Sequence, residues 1–236
     1  RQLALTPLLW AYGASLNGGS VKLDGAFETT VLEQRFPDTT HRVQALSGHA
    51  LVGDEIPVEP AMARLLGGVA VGLDGATSMP GLFAVGECAG TGFHGAAGLD
   101  GNYLLVSVSS GKRAGTTAAR HAINAPRSEP SDSTLRQQLD MVSGALGRPG
   151  GAQVSSIRKE LASLMHANAG MSRNDEGLNS TLNRIQAMKE TYSGLGAGSQ
   201  TKDYNFGLVQ YLEVGSLLDV AETIVASALE RKESRG

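Results

Sequence analysis

The stretch Thr77-Ser78-Met79-Pro80-Gly81-Leu82-Phe83-Ala84-Val85-Gly86-Glu87 decides how this chain is read. Pro80-Gly81 predicts a turn, and the apolar run Leu82 to Gly86 predicts a short buried strand. A strand that stops on Gly86-Glu87 sets a carboxylate at the tip of a backbone element. Glycine removes the Cβ that would hold a ligand off. The carboxylate accepts hydrogen bonds from sugar-like hydroxyls.

Upstream, Gly68-Val69-Ala70-Val71 predicts another short strand, and Leu73 to Thr77 a hairpin turn. Downstream, Asn102 to Ala122 predicts a helix whose packing face would be Leu104, Leu105, Val108, Gly111 and Gly115. The amino terminus of that helix offers free backbone N–H groups and a partial positive charge to whatever precedes it. The chain has 31 glycines, and they crowd between Gly67 and Gly115. Such a cluster fits tight turns and close approach of backbone to a ligand.

On the amino-terminal side, Leu3 to Trp10 and Phe27 to Leu32 are short apolar runs. Phe27 to Arg35 predicts a helix with Phe27, Val31, Leu32 and Arg35 on one face. Pro37-Asp38-Thr39-Thr40 reads as a polar connection, and Asp54 to Pro60 as an extended linker. On the carboxy-terminal side, residues 127 to 151 read as a linker holding a helix near Ser133 to Leu146. Val154 to Asn168, Leu178 to Thr191 and Phe206 to Lys232 then carry apolar residues at helical spacing. Ile157, Leu161, Leu164 and Met165 share one face; so do Leu178, Leu182, Ile185 and Met188. Leu208, Tyr211, Leu212, Leu218, Ala221, Val225, Ala228 and Leu229 line the third helix. The expectation is an antiparallel bundle of three or four helices.

Composition bounds the function. The chain has 236 residues, 41% hydrophobic and 18% charged, enough to bury a core. A net charge of -3 gives no basic stripe for nucleic acid. The most apolar stretch, Leu99 to Val108, is too short to span a membrane. The single cysteine, Cys88, excludes an internal disulfide and reads as a small buried hydrophobe. His41, His49, His121 and His166 lack metal-site spacing, so no metal is expected. The chain opens without Met and without a basic leader. A start farther upstream, no secretory signal and a cytoplasmic setting are therefore the expectations.

Five segments resemble, in order, the succinate dehydrogenase, fumarate reductase and L-aspartate oxidase flavoprotein family. They are Asp54 to Pro60, Gly67-Gly68-Val69, Thr77 to Glu87, Thr91-Gly92-Phe93-His94-Gly95-Ala96, and Asn102-Tyr103-Leu104-Leu105. Met171-Ser172-Arg173-Asn174 with Gly177-Leu178, and Ala228 to Gly236, resemble its helical carboxy-terminal domain. The resemblance covers most of the chain from about residue 27.

It implies an α/β plus α fold in three parts. Residues 1–58 would end a capping domain, 59–126 would form the carboxy-terminal part of a Rossmann-like FAD-binding domain, and 127–236 a small helical bundle. FAD would be the cofactor, with Gly86, Glu87, Asn102, Tyr103 and Leu104 as its binding residues. Glu87 would hold the ribityl hydroxyls, and the Leu104 N–H would face the flavin O2 atom. A helix amino terminus at that edge stabilises a reduced flavin by about 0.3–2 kcal/mol.

The resemblance also fails at informative positions. Ala63 stands where the family has a substrate-binding histidine, and Ala97-Gly98 where it has Asn-Arg. A dicarboxylate needs fixed cations, so a substrate other than a simple dicarboxylate is expected. Arg64 and His94 are the remaining candidates for a catalytic or substrate-side role. Solvated or hydrogen-bonded roles weigh against each.

No strand–GxGxxG–helix unit occurs. Gly95-Ala-Ala-Gly98-Leu-Asp-Gly101 and Gly194-Leu-Gly196-Ala-Gly198 have the wrong spacing. The half that grips the pyrophosphate is expected from a partner chain or another segment, in a heteromeric complex. The resulting expectation is an FAD-dependent oxidoreductase transferring hydride to or from a small organic substrate. The alternative is a non-catalytic subunit with a decayed site.

Overall fold

The computed structural model describes residues 20–22, 29–51, 54–57, 64–95, 98, 101–126, 129, 131–170 and 172–232. Two compact units divide the chain, one within residues 1–63 and one within 64–234.

In the first unit, β1 (Ser20–Lys22) pairs antiparallel with β2 (Glu55–Pro57), with Val21 opposite Ile56. The segment expected as an extended linker is thus extended where it is described, but as a paired strand. Helix α1 (Thr29–Arg35) matches the expected helix, while Phe27 and the run Leu3 to Trp10 lie outside the described residues. The connection expected at Pro37 is instead the start of a second helix, α2 (Pro37–Ser47). Proline at the first helical position has its φ already set and lacks only an N–H that would go unbonded there, and Asp38 suits the positive helix end. Gly48, at φ 74°, closes the helix by donating its N–H to the Gln44 carbonyl.

In the second unit, β3 (Val69–Ala70) lies parallel to β4 (Ala89–Gly90). Between them Ala76 bridges Phe83 across the Pro80-Gly81 turn, closed by Thr77 N–H to the Leu82 carbonyl at 3.1 Å. The strand expected over Leu82 to Gly86 does not form. Only the Phe83 bridge is present, Ala84 alone is buried, and Gly86–Cys88 coils into one 3-10 turn. An apolar run becomes a strand only where a neighbour takes its hydrogen bonds along its length, and here the described pairing stops after Thr77 N–H to the Leu82 carbonyl and Ala84 N–H to the Gly75 carbonyl.

Helix α3 (Asn102–Asn124) runs close to its expected limits, but the expected packing face is wrong. Leu104, Leu105 and Val108 are 73%, 66% and 65% exposed. The face that packs holds small and polar residues instead. Ser107 faces Gly86, Ala114 faces Gly75, and His121 meets Phe83 edge-on at 6.1 Å.

The remaining helices are α4 (Asp132–Gly147), α5 (Gly151–Ala169), α6 (Asp175–Ser193) and α7 (Phe206–Glu230). Their starts are side-chain capped where the sequence supplies a cap. Ser131 accepts from Thr134 N–H at 3.2 Å, Asn174 from Gly177 N–H at 2.7 Å, and Asn205 from Leu208 N–H at 2.9 Å.

Cross-helix pairs fix the directions. Glu160 of α5 pairs with Arg184 of α6 at 2.5 Å, and Asn168 with Thr181 at 2.9 Å, so α5 and α6 are antiparallel. Lys189 of α6 meets Asp219 of α7 at 2.6 Å while Tyr192 bonds the Tyr211 carbonyl at 2.7 Å, so α6 and α7 are antiparallel too. Ser155 meets Gln210 and Arg158 meets Glu213, which makes α5 and α7 parallel. The result is an up-down-up bundle around Val154, Ile185, Val214, Leu218 and Val225. Leu212, expected on this inner face, is 36% exposed, whereas Val214 is fully buried. Helix α4 joins through Ala145, whose carbonyl accepts the Ala197 N–H at 2.8 Å.

Candidate functional site

Glycine geometry builds the site. Gly68, at φ 131°, lies so close to the 3-10 turn that a Cβ there would sit 2.2 Å from the Cys88 carbonyl oxygen. Gly86, at φ 69°, opens that turn and would carry its Cβ 3.2 Å from Ser107 Oγ of α3. Both contacts press the Gly86-Glu87-Cys88 turn against β3 on one side and the second turn of α3 on the other. Glu87 therefore sits on a turn and not at a strand tip, as expected, but beside the start of α3 all the same.

The amino terminus of α3 is capped by Gly101 at φ 80°, which has no side chain to accept from the first turn. The leading N–H groups of a helix have no partner within it. Tyr103, in that first turn, accepts a hydrogen bond from Gly98 N–H on its phenol oxygen at 3.0 Å. A Cβ at residue 98 would fall 2.3 Å from that oxygen, so the Tyr103 ring occupies the space a side chain at 98 would need.

Arg64 reaches into the same place. Its guanidinium carbon lies 4.2 Å from the Tyr103 ring centroid, and its Nη1 pairs with Glu87 Oε1. Both side chains of the pair are about half exposed, at 48% and 51%. His94 packs on Tyr103 with ring centroids 4.6 Å apart, and on Phe93 edge-to-face.

The structure thus gathers Arg64, Gly86, Glu87, His94 and Tyr103, with Asn102 and Leu104 flanking Tyr103 on α3. Ala63 and Ala97 lie outside the described residues. Cys88, expected to be buried, is exposed, because it ends the 3-10 turn on its open side; its thiol donates to the Val85 carbonyl at 3.1 Å. Sequence reasoning missed Ser107 and the Gly98–Tyr103 lock. The available signal was a glycine five residues before an aromatic residue at a helix start.

The cluster is an open surface. Among the described residues, shallow grooves run along α7 around Leu212 and Leu217, and beside α3 around Lys112 and Arg113. No described helix is long and apolar enough to cross a membrane.

Comparison with known proteins places this arrangement. Residues 13–104 match the FAD binding domain family, and residues 158–236 match the family described as fumarate reductase flavoprotein C-term. The chain belongs to the succinate dehydrogenase and fumarate reductase flavoprotein family. That family is one of FAD-dependent oxidoreductases, and this chain carries part of its FAD-binding domain.

It is 33% identical to the fumarate reductase flavoprotein subunit of Haemophilus influenzae, over 87% of this chain and 35% of that protein. It is 31% identical to the 8-methylmenaquinol:fumarate reductase flavoprotein subunit of Wolinella succinogenes, over 86% of this chain and 34% of that one. Among solved structures, an Escherichia coli quinol fumarate reductase chain superposes with a TM-score of 0.84 at 28% identity, covering 95% of this chain and 40% of that one. A chain of the Mycobacterium smegmatis Sdh1 complex gives 0.78 at 27% identity, covering 92% and 37%. The chain therefore spans little more than a third of the length of these relatives.

The residues present suit a flavin. They include a half-exposed carboxylate, a helix start whose cap residue is glycine, and exposed apolar side chains at Phe93 and Leu104.

Proposed function

We propose that this chain is the carboxy-terminal part of an FAD-dependent oxidoreductase that transfers hydride between flavin and a small organic substrate. When bound, the flavin supplies the hydride chemistry. The chain's own residues bind and orient it. Glu87 accepts hydrogen bonds from the ribityl hydroxyls. The first-turn amides of α3, with Leu104 N–H foremost, offer donors and a positive helix end to the flavin's pyrimidine edge. Gly68 and Gly86 let the Glu87 turn pack closely against β3 and α3, which sets where the carboxylate stands. The adenylate end is held by residues outside this chain, in the portion its longer relatives possess.

One observation carries this reading: the turn bearing Glu87 packs on the second turn of α3, with Gly86 against Ser107 and Arg64 spanning Glu87 and Tyr103.

The relatives named above include fumarate reductases. For this chain we propose a substrate other than a simple dicarboxylate. Ala63 and Gly98 supply no side-chain cation, and the Tyr103 ring leaves no room for an arginine at 98. His94 and Arg64 are the candidate side chains left for a substrate-side role.

The test uses the native protein that carries this chain. FAD should copurify with it, and Glu87→Gln should lower the flavin retained at limiting FAD about tenfold, as loss of a hydrogen bond to a charged group does. Succinate should leave the oxidised flavin spectrum unchanged. Full flavin retention by Glu87→Gln would remove the proposed site. Rapid bleaching by succinate would remove the substrate assignment.

A further inference from the structure

We propose that Arg64 is a positioning residue for the Glu87 carboxylate, seated in turn by the Tyr103 ring. The inference rests on the reading of Glu87 as a flavin ligand and adds to it how that ligand is held.

Glu87 sits on a single exposed 3-10 turn, and no described backbone group fixes its side chain. A free glutamate samples several rotamers, and choosing one on binding costs affinity. Arg64 supplies the missing restraint from a loop 23 residues earlier in the chain. Nη1 engages Oε1, so Oε2 and further lone pairs stay open to hydroxyl donors.

The guanidinium is itself fixed. Its carbon lies 4.2 Å from the Tyr103 centroid. The Tyr103 ring is fixed by Gly98 N–H at 3.0 Å and by His94 packed at 4.6 Å. Restraint therefore passes from His94 and Gly98 to Tyr103, then Arg64, then Glu87. The chemistry requires arginine at 64. A planar fork can stack on a ring with its face and donate with its edge, which a lysine ammonium cannot do.

The experiment is FAD titration of the flavin-free native protein carrying this chain, read by quenching of flavin fluorescence. Glu87→Gln should raise Kd about tenfold or more. Arg64→Ala should raise it about two- to fivefold, the range of an exposed ion pair. Arg64→Lys should recover only part of that loss. Combined with Glu87→Gln, the Arg64→Ala substitution should cost nothing further, because its effect runs through the carboxylate.

Wild-type affinity in Arg64→Ala overturns the inference. So does an Arg64→Ala penalty that persists undiminished beside Glu87→Gln, which would mark direct flavin contact or general damage. Both outcomes leave the flavin reading standing if Glu87→Gln binds weakly. Wild-type affinity in Glu87→Gln overturns the flavin reading and this inference together.

Discussion

Replacing Gly68 by alanine should loosen the Glu87 turn without touching it. At φ 131° an L-residue is strained, and such backbone costs about 1–3 kcal/mol. The new Cβ would also lie 2.2 Å from the Cys88 carbonyl oxygen, more than an ångström short of the 3.4 Å at which ordinary contact begins. That oxygen belongs to backbone, so no side-chain rotation relieves the clash. Either β3 parts from β4 or the 3-10 turn shifts, and both movements displace Glu87.

Hydrogen exchange read by mass spectrometry can see this locally. Amides of residues 86–90 should exchange about five- to 150-fold faster in Gly68→Ala, the factor corresponding to about 1–3 kcal/mol. Amides of α5, α6 and α7 should be unchanged, and bound flavin should fall in parallel. Wild-type exchange at 86–90 would refute the claim that this glycine is a close-packing requirement.

Two further outcomes concern the bundle. Leu218→Ala should cost about 2–5 kcal/mol in urea unfolding followed by circular dichroism, since Leu218 is buried in the three-helix core. Leu217→Ala, one position away and 40% exposed, should cost under about 1 kcal/mol; equal losses would contradict the assigned inner face. In alkali, stability should fall as pH rises past about 10. Burial and its neighbour Tyr211 raise the Tyr192 phenol, and Asp219, then Glu222, raise Lys189. Both groups hold protons in the folded state that the unfolded chain releases from about 10.0 and 10.5, so their contribution is whole below those values and lost above. Denaturant midpoints measured across that range should decline less in Tyr192→Phe, and an equal decline would assign the effect elsewhere.

The bundle was legible because its signal is periodic. Ile157 and Leu161, Leu178 and Ile185, and Leu218 and Val225 recur at helical spacing, and each pair is buried. Two details moved: α5 begins at Gly151, three residues before the first expected position, and Val214 takes the inner place expected of Leu212 on α7. The glycine-rich half was harder. Its elements are two-residue strands and one-turn coils, too short for a period to register.

Helix α3 misled in a specific way. Leu104, Leu105 and Val108 mark an apolar face, but sequence cannot say on which side the partner stands, and in this chain the small residues Ser107 and Ala114 do the packing. Proline at 37 was read as a break when it was a beginning. At the site, Glu87, Tyr103 and Leu104 could be named from their motifs. The link between Arg64 and Glu87 could not, because it spans 23 residues and depends on where two loops meet.

The charged pairs along the bundle have a consequence for its handedness. Arg158 and Glu160 lie about 200° apart around α5, so one side of that helix is basic and the other acidic. In the observed arrangement Glu160 meets Arg184 and Arg158 meets Glu213. Exchanging the seats of α6 and α7 gives the mirror topology, whose apolar core could be filled nearly as well. With each apolar face kept inward, it would turn Arg158 towards the flank of α6 that carries Lys189, and Glu160 towards the flank of α7 that carries Asp219 and Glu222. Pairs that contribute little energy to the right chirality thus penalise the wrong one twice over.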